Sequence, residues 1–253
     1  DSFNTAVGDR AGTAVTTGVQ NTIVGGLAGD AITVGGANVA IGYGALSAED
    51  TGNRNVAVGN LALAVQNSHA TNNNTAVGYG AGTAVTSGIQ NTVIGADAGS
   101  NITSGDGNVA IGNGSAADGA VNITSEDNRG IFGHAAITNA YVKVDWTVTS
   151  DARDKMNFAE VPHGLSFVND LQPIKFNFKK SRDDATPHGK TKYGFKAQDI
   201  LALEGDNPII IDNEFEDNLK ITNSHLMPVL VKAVQELSTA LDAALARIAT
   251  LEG

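Results

Sequence analysis

Ser150 and Lys155 are the residues whose types and spacing could do chemistry, in the segment Ser150-Asp151-Ala152-Arg153-Asp154-Lys155. A serine hydroxyl becomes a strong nucleophile when a nearby base takes its proton, and a neutral lysine amine can be that base. Burial in an apolar site favours the neutral form of a lysine side chain. The pair therefore predicts a nucleophilic dyad that attacks a neighbouring peptide carbonyl.

The spacing of the pair limits the backbone that could present it. Five residues along an α-helix correspond to about 500° of rotation, which turns the two side chains away from each other. The dyad therefore requires a strand-to-turn geometry, or a lysine from another subunit. The structural alternative is that Ser150 or Asp151 simply caps a following turn or helix, and local spacing alone favours this alternative.

A strand is predicted immediately before the dyad. Val142, Val144, Trp146 and Val148 alternate with polar residues, which is the two-residue period of a half-buried strand. Ser150 would then lie where this strand ends.

The first half of the chain is an internal repeat. A unit of Asn, three small or β-branched residues and Gly begins at Asn4, Asn21, Asn38, Asn55, Asn74, Asn91 and Asn108. All but one of these intervals are equal, which is typical of a solenoid whose coils bury their faces only against neighbouring coils. Each unit is predicted to be a short strand closed by glycine, which supplies the backbone angles of tight corners. Trimerisation along a thin coil would supply burial that one chain lacks.

These units, for example Asn-Val-Ala-Ile-Gly at 38–42 and Asn-Thr-Ala-Val-Gly-Tyr-Gly at 74–80, resemble the head repeats of trimeric adhesins and of phage tail fibres. The resemblance implies a trimeric parallel β-roll or β-helix. It names no ligand, because repeats of this kind serve as shafts as often as receptor-binding surfaces.

The end of the chain predicts a long helix. Apolar residues follow alternating steps of four and three, the seam of a coiled coil, at Leu230, Val234, Leu237, Leu241, Ala244, Ile248 and Leu251. Pro228 fits a first helical turn, with Asn223 or Ser224 near the cap. A helix buried within a monomer is the alternative to self-association into three chains.

From Ser150 onwards the chain resembles the intramolecular chaperone domain of endosialidases and other phage tail spikes and fibres, a self-cleaving serine peptidase family. The resemblance rests on residues 150–155, GLSFVNDLQPIKF at 164–176, YGFKAQDI at 193–200 and KAVQEL at 232–237. It implies four segments: a repetitive fibre domain over 1–117, a connecting β segment over 118–149, an α+β chaperone domain over 150–225, and a coiled-coil helix over 226–253.

The resemblance also implies a single self-cleavage by Ser150 and Lys155, within a homotrimer that belongs to the virion and is assembled in the host cytoplasm. The expected scissile bond is Thr149-Ser150, with Ser150-Asp151 as the alternative. Asp151, Arg153 and Asp154 would position the strand or stabilise the oxyanion. No turnover of an external substrate is expected.

Composition restricts the other function classes. The net charge of −11 argues against binding to a nucleic-acid backbone, and the absence of cysteine excludes disulfides and thiolate metal sites. We expect no cofactor, no metal and no membrane insertion, since no apolar run approaches about 20 residues. The chain begins at Asp1 without methionine, so we expect a fragment of a longer protein.

Two alternatives to a self-cleaving fibre stay open. One is a trimeric host-surface adhesin that binds glycans and carries a trimerisation domain that does not cleave. The other is a glycan depolymerase, which requires a pair of well-placed carboxylates, whereas the repeats show only scattered acids at turns.

Overall fold

A computed structural model describes residues 2–68, 71–118, 121–134 and 136–252. The chain divides into two compact units, Asp1–Ile137 and Thr138–Gly253. Each unit is described below by itself.

The first unit is a parallel β-solenoid. Its strands are β1 Thr5–Val7, β2 Thr22–Val24, β3 Val39–Ile41, β4 Val56–Val58, β5 Thr75–Val77, β6 Thr92–Ile94, β7 Val109–Ile111, β8 Ala117–Asp118, β9 Val121–Asn122 and β10 Gly130–Phe132. Strands β1 to β7 and then β10 form one eight-stranded sheet in chain order, with every adjacent pair parallel. The solenoid predicted from the repeat is confirmed, and its sheet extends beyond residue 117 to β10.

A ladder of buried asparagines holds successive coils in register. The side-chain oxygen of Asn21 accepts a hydrogen bond from the backbone N–H of Asn38 at 3.0 Å, and its amide donates to the carbonyl of Gly35 at 2.8 Å. Asn38 makes the same two bonds, to Asn55 and to Gly52. The position requires one acceptor and one donor on a short side chain, which explains why asparagine recurs there.

The solenoid core has two ways of filling the same space. In one coil Gly29 leaves room for Ile32, whose Cδ1 would be 2.8 Å from a Cβ at that glycine. In the next coil Leu46 stands in place of the glycine and is fully buried. The residue in place of the isoleucine is then Glu49, which is fully buried.

The carboxylate of Glu49 lies within a polar cluster inside the core. It accepts hydrogen bonds from the backbone N–H of Gly52 at 2.7 Å, from Gln66 Nε2 at 3.2 Å and from Asn72 Nδ2 at 2.7 Å. Burial raises the pKa of Glu49, and these hydrogen bonds oppose that shift. Glu49 is therefore an acid held inside an otherwise mostly aliphatic core.

The second unit is α+β and ends in a long helix. Its elements are a 3-10 helix Ala152–Asp154, α1 Leu165–Asp170, β11 Ile174–Lys179, β12 Pro187–Gly194, α2 Ala197–Glu204, β13 Ile211–Asp212, β14 Lys220–Ile221 and α3 Asn223–Glu252. Strands β11 and β12 pair antiparallel, as do β13 and β14. The core of this unit consists of Phe167, Ile200, Ile210, Ile211, Leu226 and Val229.

Two local predictions for this unit were wrong. Residues 136–151, all of which the structure describes, contain no strand, and Trp146 and Val148 are 77 % and 79 % exposed. An alternating segment becomes a strand only against a partner strand, and one chain offers none here. Helix α3 begins at Asn223, so Pro228 lies beyond the first turn rather than within it.

Candidate functional site

Ser150 and Lys155 are in direct contact. Lys155 Nζ donates a hydrogen bond to Ser150 Oγ at 2.7 Å, although the two residues are five positions apart. The 3-10 helix Ala152–Asp154 lies between them and brings the chain back on itself. This is a turn geometry of the kind the spacing requires, and an α-helix would not give it.

The turn between the two residues is held by Asp151. Its Oδ1 accepts the backbone N–H of Arg153 at 2.9 Å, which makes Asp151 the N-cap of the 3-10 helix. The backbone N–H of Asp154 donates to the carbonyl of Asp151 at 3.1 Å, and the N–H of Lys155 donates to Ala152 at 3.3 Å. The capping alternative and the dyad are therefore compatible, because Asp151 caps the turn that joins Ser150 to Lys155.

The guanidinium of Arg153 pairs with the same carboxylate. Arg153 Nη2 lies 2.6 Å from Asp151 Oδ2, and Nε lies 3.1 Å from both carboxylate oxygens. The Arg153 guanidinium lowers the pKa of the Asp151 carboxyl, helped by the backbone N–H of Arg153. Of the three predicted supporting residues, Asp151 and Arg153 thus act on the turn, and Asp154 contributes its backbone N–H.

The whole site is open to solvent in the single chain. Ser150 and Lys155 are both exposed, and so are Val148, Met156 and Phe158, at 79 %, 80 % and 73 %. The Lys155 amine is here the hydrogen-bond donor and the Ser150 hydroxyl oxygen the acceptor. In base catalysis the roles are exchanged, because the hydroxyl must donate its proton to the amine. Burial among apolar groups is what would reverse the direction of this bond.

Two residues of the C-terminal helix organise the segment that follows the dyad. Glu236 Oε2 accepts the N–H of Leu165 at 2.7 Å and so serves the first turn of α1, while Lys232 Nζ donates to the carbonyl of Val161 at 2.6 Å. Neither residue was predicted to have a separate role. Their spacing of four was the available signal, since it places an acid and a base on one face of the helix.

Helix α3 buries one face and leaves its heptad positions open. Leu226, Val229 and Ala233 are buried, and the first two belong to the core of the unit. Along the rest of the helix the apolar positions are exposed, including Val234 at 66 % and Leu241 at 57 %. The alternative of a helix buried along its length in one chain is therefore wrong for these positions.

The described residues also limit other kinds of site. Within the parts of the chain that the structure describes, no three His, Asp or Glu side chains converge in a way that could hold a metal ion. No helix among those residues combines the length and apolar character needed to cross a bilayer.

Comparison with known proteins identifies a family that part of the chain resembles. Residues 150–206 match the family model described as the chaperone of endosialidase, a family of self-cleaving peptidases. No curated protein and no solved structure matches the chain. The match begins at Ser150, the first residue of the dyad. Residues 150–206 are thus similar to the chaperone of endosialidase, and this match together with the preceding parallel β-solenoid is compatible with a phage fibre that carries such a chaperone domain.

Proposed function

We propose that this chain is the C-terminal part of a homotrimeric phage tail fibre or spike, and that its C-terminal domain is an intramolecular trimerisation chaperone that releases itself by one self-cleavage. The observation that carries the proposal is the 2.7 Å contact between Lys155 Nζ and Ser150 Oγ at the first residue of the family match. The family supports the chaperone role, and the dyad chemistry is our inference.

The proposed cleavage begins with a shift of the acyl group from nitrogen to oxygen. Ser150 Oγ attacks the carbonyl carbon of Thr149 while neutral Lys155 takes the hydroxyl proton. The Thr149–Ser150 C–N bond then breaks, and the lysine returns the proton to the departing amine. Water hydrolyses the resulting ester, which leaves a carboxylate on Thr149 and restores the hydroxyl of Ser150.

Ring size favours this bond over the alternative. Attack on the carbonyl of Thr149 closes a five-membered ring through Oγ, Cβ, Cα and N of Ser150. Attack on the carbonyl of Ser150 itself, which would cut Ser150-Asp151, closes a strained four-membered ring. The first path places the reacting atoms together at lower cost in strain.

Assembly provides the switch for this reaction. In the single chain the dyad is exposed to water, and the neighbouring sequence contributes exposed apolar residues such as Trp146, Met156 and Phe158. Packing these side chains against other subunits would remove water from Lys155 and favour the neutral amine that the reaction needs. Cleavage then follows trimer formation and does not precede it.

The exposed seam of α3 supports the trimer. A helix with open heptad positions buries them by associating with copies of itself, and Leu230, Leu237 and Leu251 are 42 %, 54 % and 84 % exposed. One face of the helix is already used for the core of its own unit. The seam is the face left for neighbouring chains.

The test compares wild type with Ser150→Ala and Lys155→Ala, and with Lys143→Ala as a control exposed lysine upstream of the dyad. We expect wild type and the control to give fragments 1–149 and 150–253 by intact mass, and the two dyad variants to stay whole. A fragment ending at residue 150 would show cleavage at the alternative bond. Native mass spectrometry of the uncut variants measures whether three chains associate.

One outcome would favour the non-cleaving alternative. If wild type stays whole and is trimeric, the C-terminal domain is a trimerisation module without peptidase activity. Such a chain would fit a host-surface adhesin, and binding to a glycan or other receptor would then be the function to test.

A further inference from the structure

Two side chains of helix α3, here called the clamp, hold the chain that follows the dyad. Lys232 Nζ donates to the carbonyl of Val161 at 2.6 Å, and Glu236 Oε2 accepts the N–H of Leu165 at 2.7 Å. The family match ends at residue 206, so it assigns no role to either side chain. The clamp fixes the far end of the segment that begins at Lys155.

The chain is shaped locally to receive Glu236. Helix α1 begins after Gly164 and has no side-chain cap at that residue. A Cβ at Gly164 would overlap both carboxylate oxygens of Glu236. Glycine at this position therefore leaves room for the carboxylate from α3, which accepts the N–H of Leu165 in the first turn in place of a local cap.

The clamp and the seam lie on different sides of α3. When the seam residues Val234 and Leu237 take positions a and d of a heptad, Lys232 and Glu236 take positions f and c. Positions a and d face the neighbouring helices of a coiled coil, and positions c and f face away from them. The seam can therefore associate with other chains while the clamp keeps its bonds.

Apolar side chains of α3 lie beside the clamped segment. An open groove of about 580 Å³ has Val161, Met227, Pro228 and Val231 as its apolar lining and Glu160 and Lys232 among its polar lining. Met227 and Val231 are 64 % and 51 % exposed, and Met227 occupies the same heptad position as Val234 of the seam. The clamp thus holds the segment next to apolar surface that adjoins the seam.

The clamp also limits how far Lys155 can lie from α3. Val161 follows Lys155 by six residues, which extend for at most about 20 Å. Without the bond to Val161 the tether runs to Leu165, ten residues from Lys155. The longer tether would lower the local concentration of Lys155 beside α3 about twofold, since this concentration falls roughly as the −3/2 power of tether length. The tether also carries Met156 and Phe158, which are exposed in the single chain.

We propose that Lys232 and Glu236 are positioning residues for the self-cleavage, which hold the segment after Lys155 against α3 so that assembly along the seam also covers the dyad. This inference rests on the proposed function and assigns the link between assembly and chemistry within it. Both residues act through the backbone of residues 161–165.

The dependence of the cleavage rate on pH reports this positioning, because Lys155 must lose its proton before it can act as the base. The charged groups that flank it in the chain are Arg153 with its partner Asp151, Asp154 and Glu160, and the test variants leave all of them in place. Loss of the clamp would leave Lys155 in water, which favours its charged form and moves the reaction to higher pH.

The test measures the rate of self-cleavage against pH for wild type, Lys232→Met, Lys232→Arg and Glu236→Ala. Asp242→Asn is the control, since Asp242 is an exposed charge on the side of α3 away from the seam. Chains are collected uncut in denaturant directly after synthesis, diluted into buffers of increasing pH, and followed with time on a denaturing gel. Native mass spectrometry of the same variants in the Ser150→Ala background measures assembly.

We expect Lys232→Met and Glu236→Ala both to raise the pH of the half-maximal rate by about one unit, which lowers the rate at neutral pH about tenfold. Lys232→Arg keeps the donor and Asp242→Asn leaves the clamp intact, so both should follow wild type. All variants should still assemble.

Several results would overturn the inference. Lys232→Met and Glu236→Ala remove charges of opposite sign, so shifts in opposite directions would show a direct charge effect on Lys155. A loss of about twofold at every pH would show a longer tether only, and wild-type rates in both variants would show no role for the clamp. Loss of assembly in both would make the clamp part of the trimer contact instead. A wild type that stays whole at every pH overturns the proposed peptidase as well, whereas a wild type that cuts leaves the peptidase standing whichever of these results is found.

Discussion

Removal of one rung of the asparagine ladder should loosen the solenoid at a predictable place. Asn38 is fully buried, its Nδ2 donates to the carbonyl of Gly52 at 2.9 Å, and its Oδ1 accepts the N–H of Asn55 at 2.9 Å. Asn38→Ala deletes both bonds and leaves the carbonyl of Gly52 and the N–H of Asn55 buried without these partners. Water cannot easily replace the lost side chain inside the coil.

The expected cost follows from the two orphaned groups. Each buried group left without a partner costs about 1–3 kcal/mol, so the variant should lose about 2–6 kcal/mol. Asn4→Ala is the matched control, since Asn4 makes the same pair of bonds at 2.7 and 2.8 Å at the first coil. Asn4 is only half-buried, so water can take over its bonds and the cost should be about 1 kcal/mol.

Native-state amide hydrogen exchange measures this loss where it occurs. In the uncut Ser150→Ala chain, Asn38→Ala should speed exchange at the Asn55 amide by about 30-fold or more, which corresponds to about 2 kcal/mol. Coils far from this rung should change less, because each coil contacts only its neighbours. Equal loss of protection in the Asn4→Ala control, or unchanged protection of Asn55, would refute the reasoning.

Three further predictions concern glycine, an acid and a helix cap. Gly59→Ala should lower the thermal unfolding midpoint far more than Gly205→Ala, since a Cβ at Gly59 would overlap the carbonyl of Gly78, whereas Gly205 has nothing within 4 Å. Because the pKa of Glu49 is raised in the folded chain, its contribution to stability is fully present below the ordinary pKa of glutamate and is lost as pH rises through the folded-state pKa. Thermal unfolding midpoints measured against pH should therefore fall over this range in wild type. The fall should be smaller in Glu49→Gln, which has no carboxyl group to titrate. Glu236→Ala should lower the thermal unfolding midpoint of the C-terminal unit, because it removes a hydrogen-bond acceptor that contributes about 1 kcal/mol of stability at the start of α1. Glu236→Gln keeps an acceptor oxygen and should retain most of this stability.

The solenoid could be predicted because its determinants repeat along the chain. Each Asn is followed by a strand that begins at the next residue, as with Asn38 and β3, so the interval between asparagines gives the sheet register directly. The longer interval between Asn55 and Asn74 keeps the same bond, at 3.2 Å. The longer interval therefore keeps the acceptor bond of this rung, whereas the buried Nδ2 of Asn55 has no hydrogen-bond partner among the described residues.

The last rung of the solenoid could not be found in this way. At the end of the ladder Arg129 occupies the asparagine position, and its backbone N–H donates to Asn108 Oδ1 at 2.9 Å. At this last rung residue 129 is only the donor, through its backbone N–H, which every residue except proline has. Asparagine is therefore not needed there, and the sequence repeat ends one coil before the hydrogen-bond ladder does. The burial of Glu49 could not be predicted either, because two of its hydrogen-bond partners, Gln66 and Asn72, lie 17 and 23 residues further along the chain.

The candidate site was predictable only as far as it is local. Asp151, Arg153 and Lys155 are close in sequence, and short-range hydrogen bonds fix the turn that joins them to Ser150. The contact between Glu236 and Leu165 joins residues 71 positions apart, so the spacing of Lys232 and Glu236 on one helix face does not identify the partner. The strand predicted before Ser150 is absent for a related reason. Alternating apolar residues form a strand only when a partner strand is available, and the single chain provides none at this place.

If the proposed trimer forms, the exposure of the dyad and the exposure of apolar surface have the same cause, namely that the single chain lacks its partner subunits. The single chain leaves both the apolar residues beside Ser150 and the seam of α3 open to water. Under the proposed mechanism, the association that buries the seam also takes water from Lys155, so the reaction waits for the assembly that it reports. In that mechanism the cut would separate the solenoid from the helix that aligned it. Because the part that brings the chains together would then be gone, an assembled fibre would be protected by slow dissociation rather than by greater equilibrium stability.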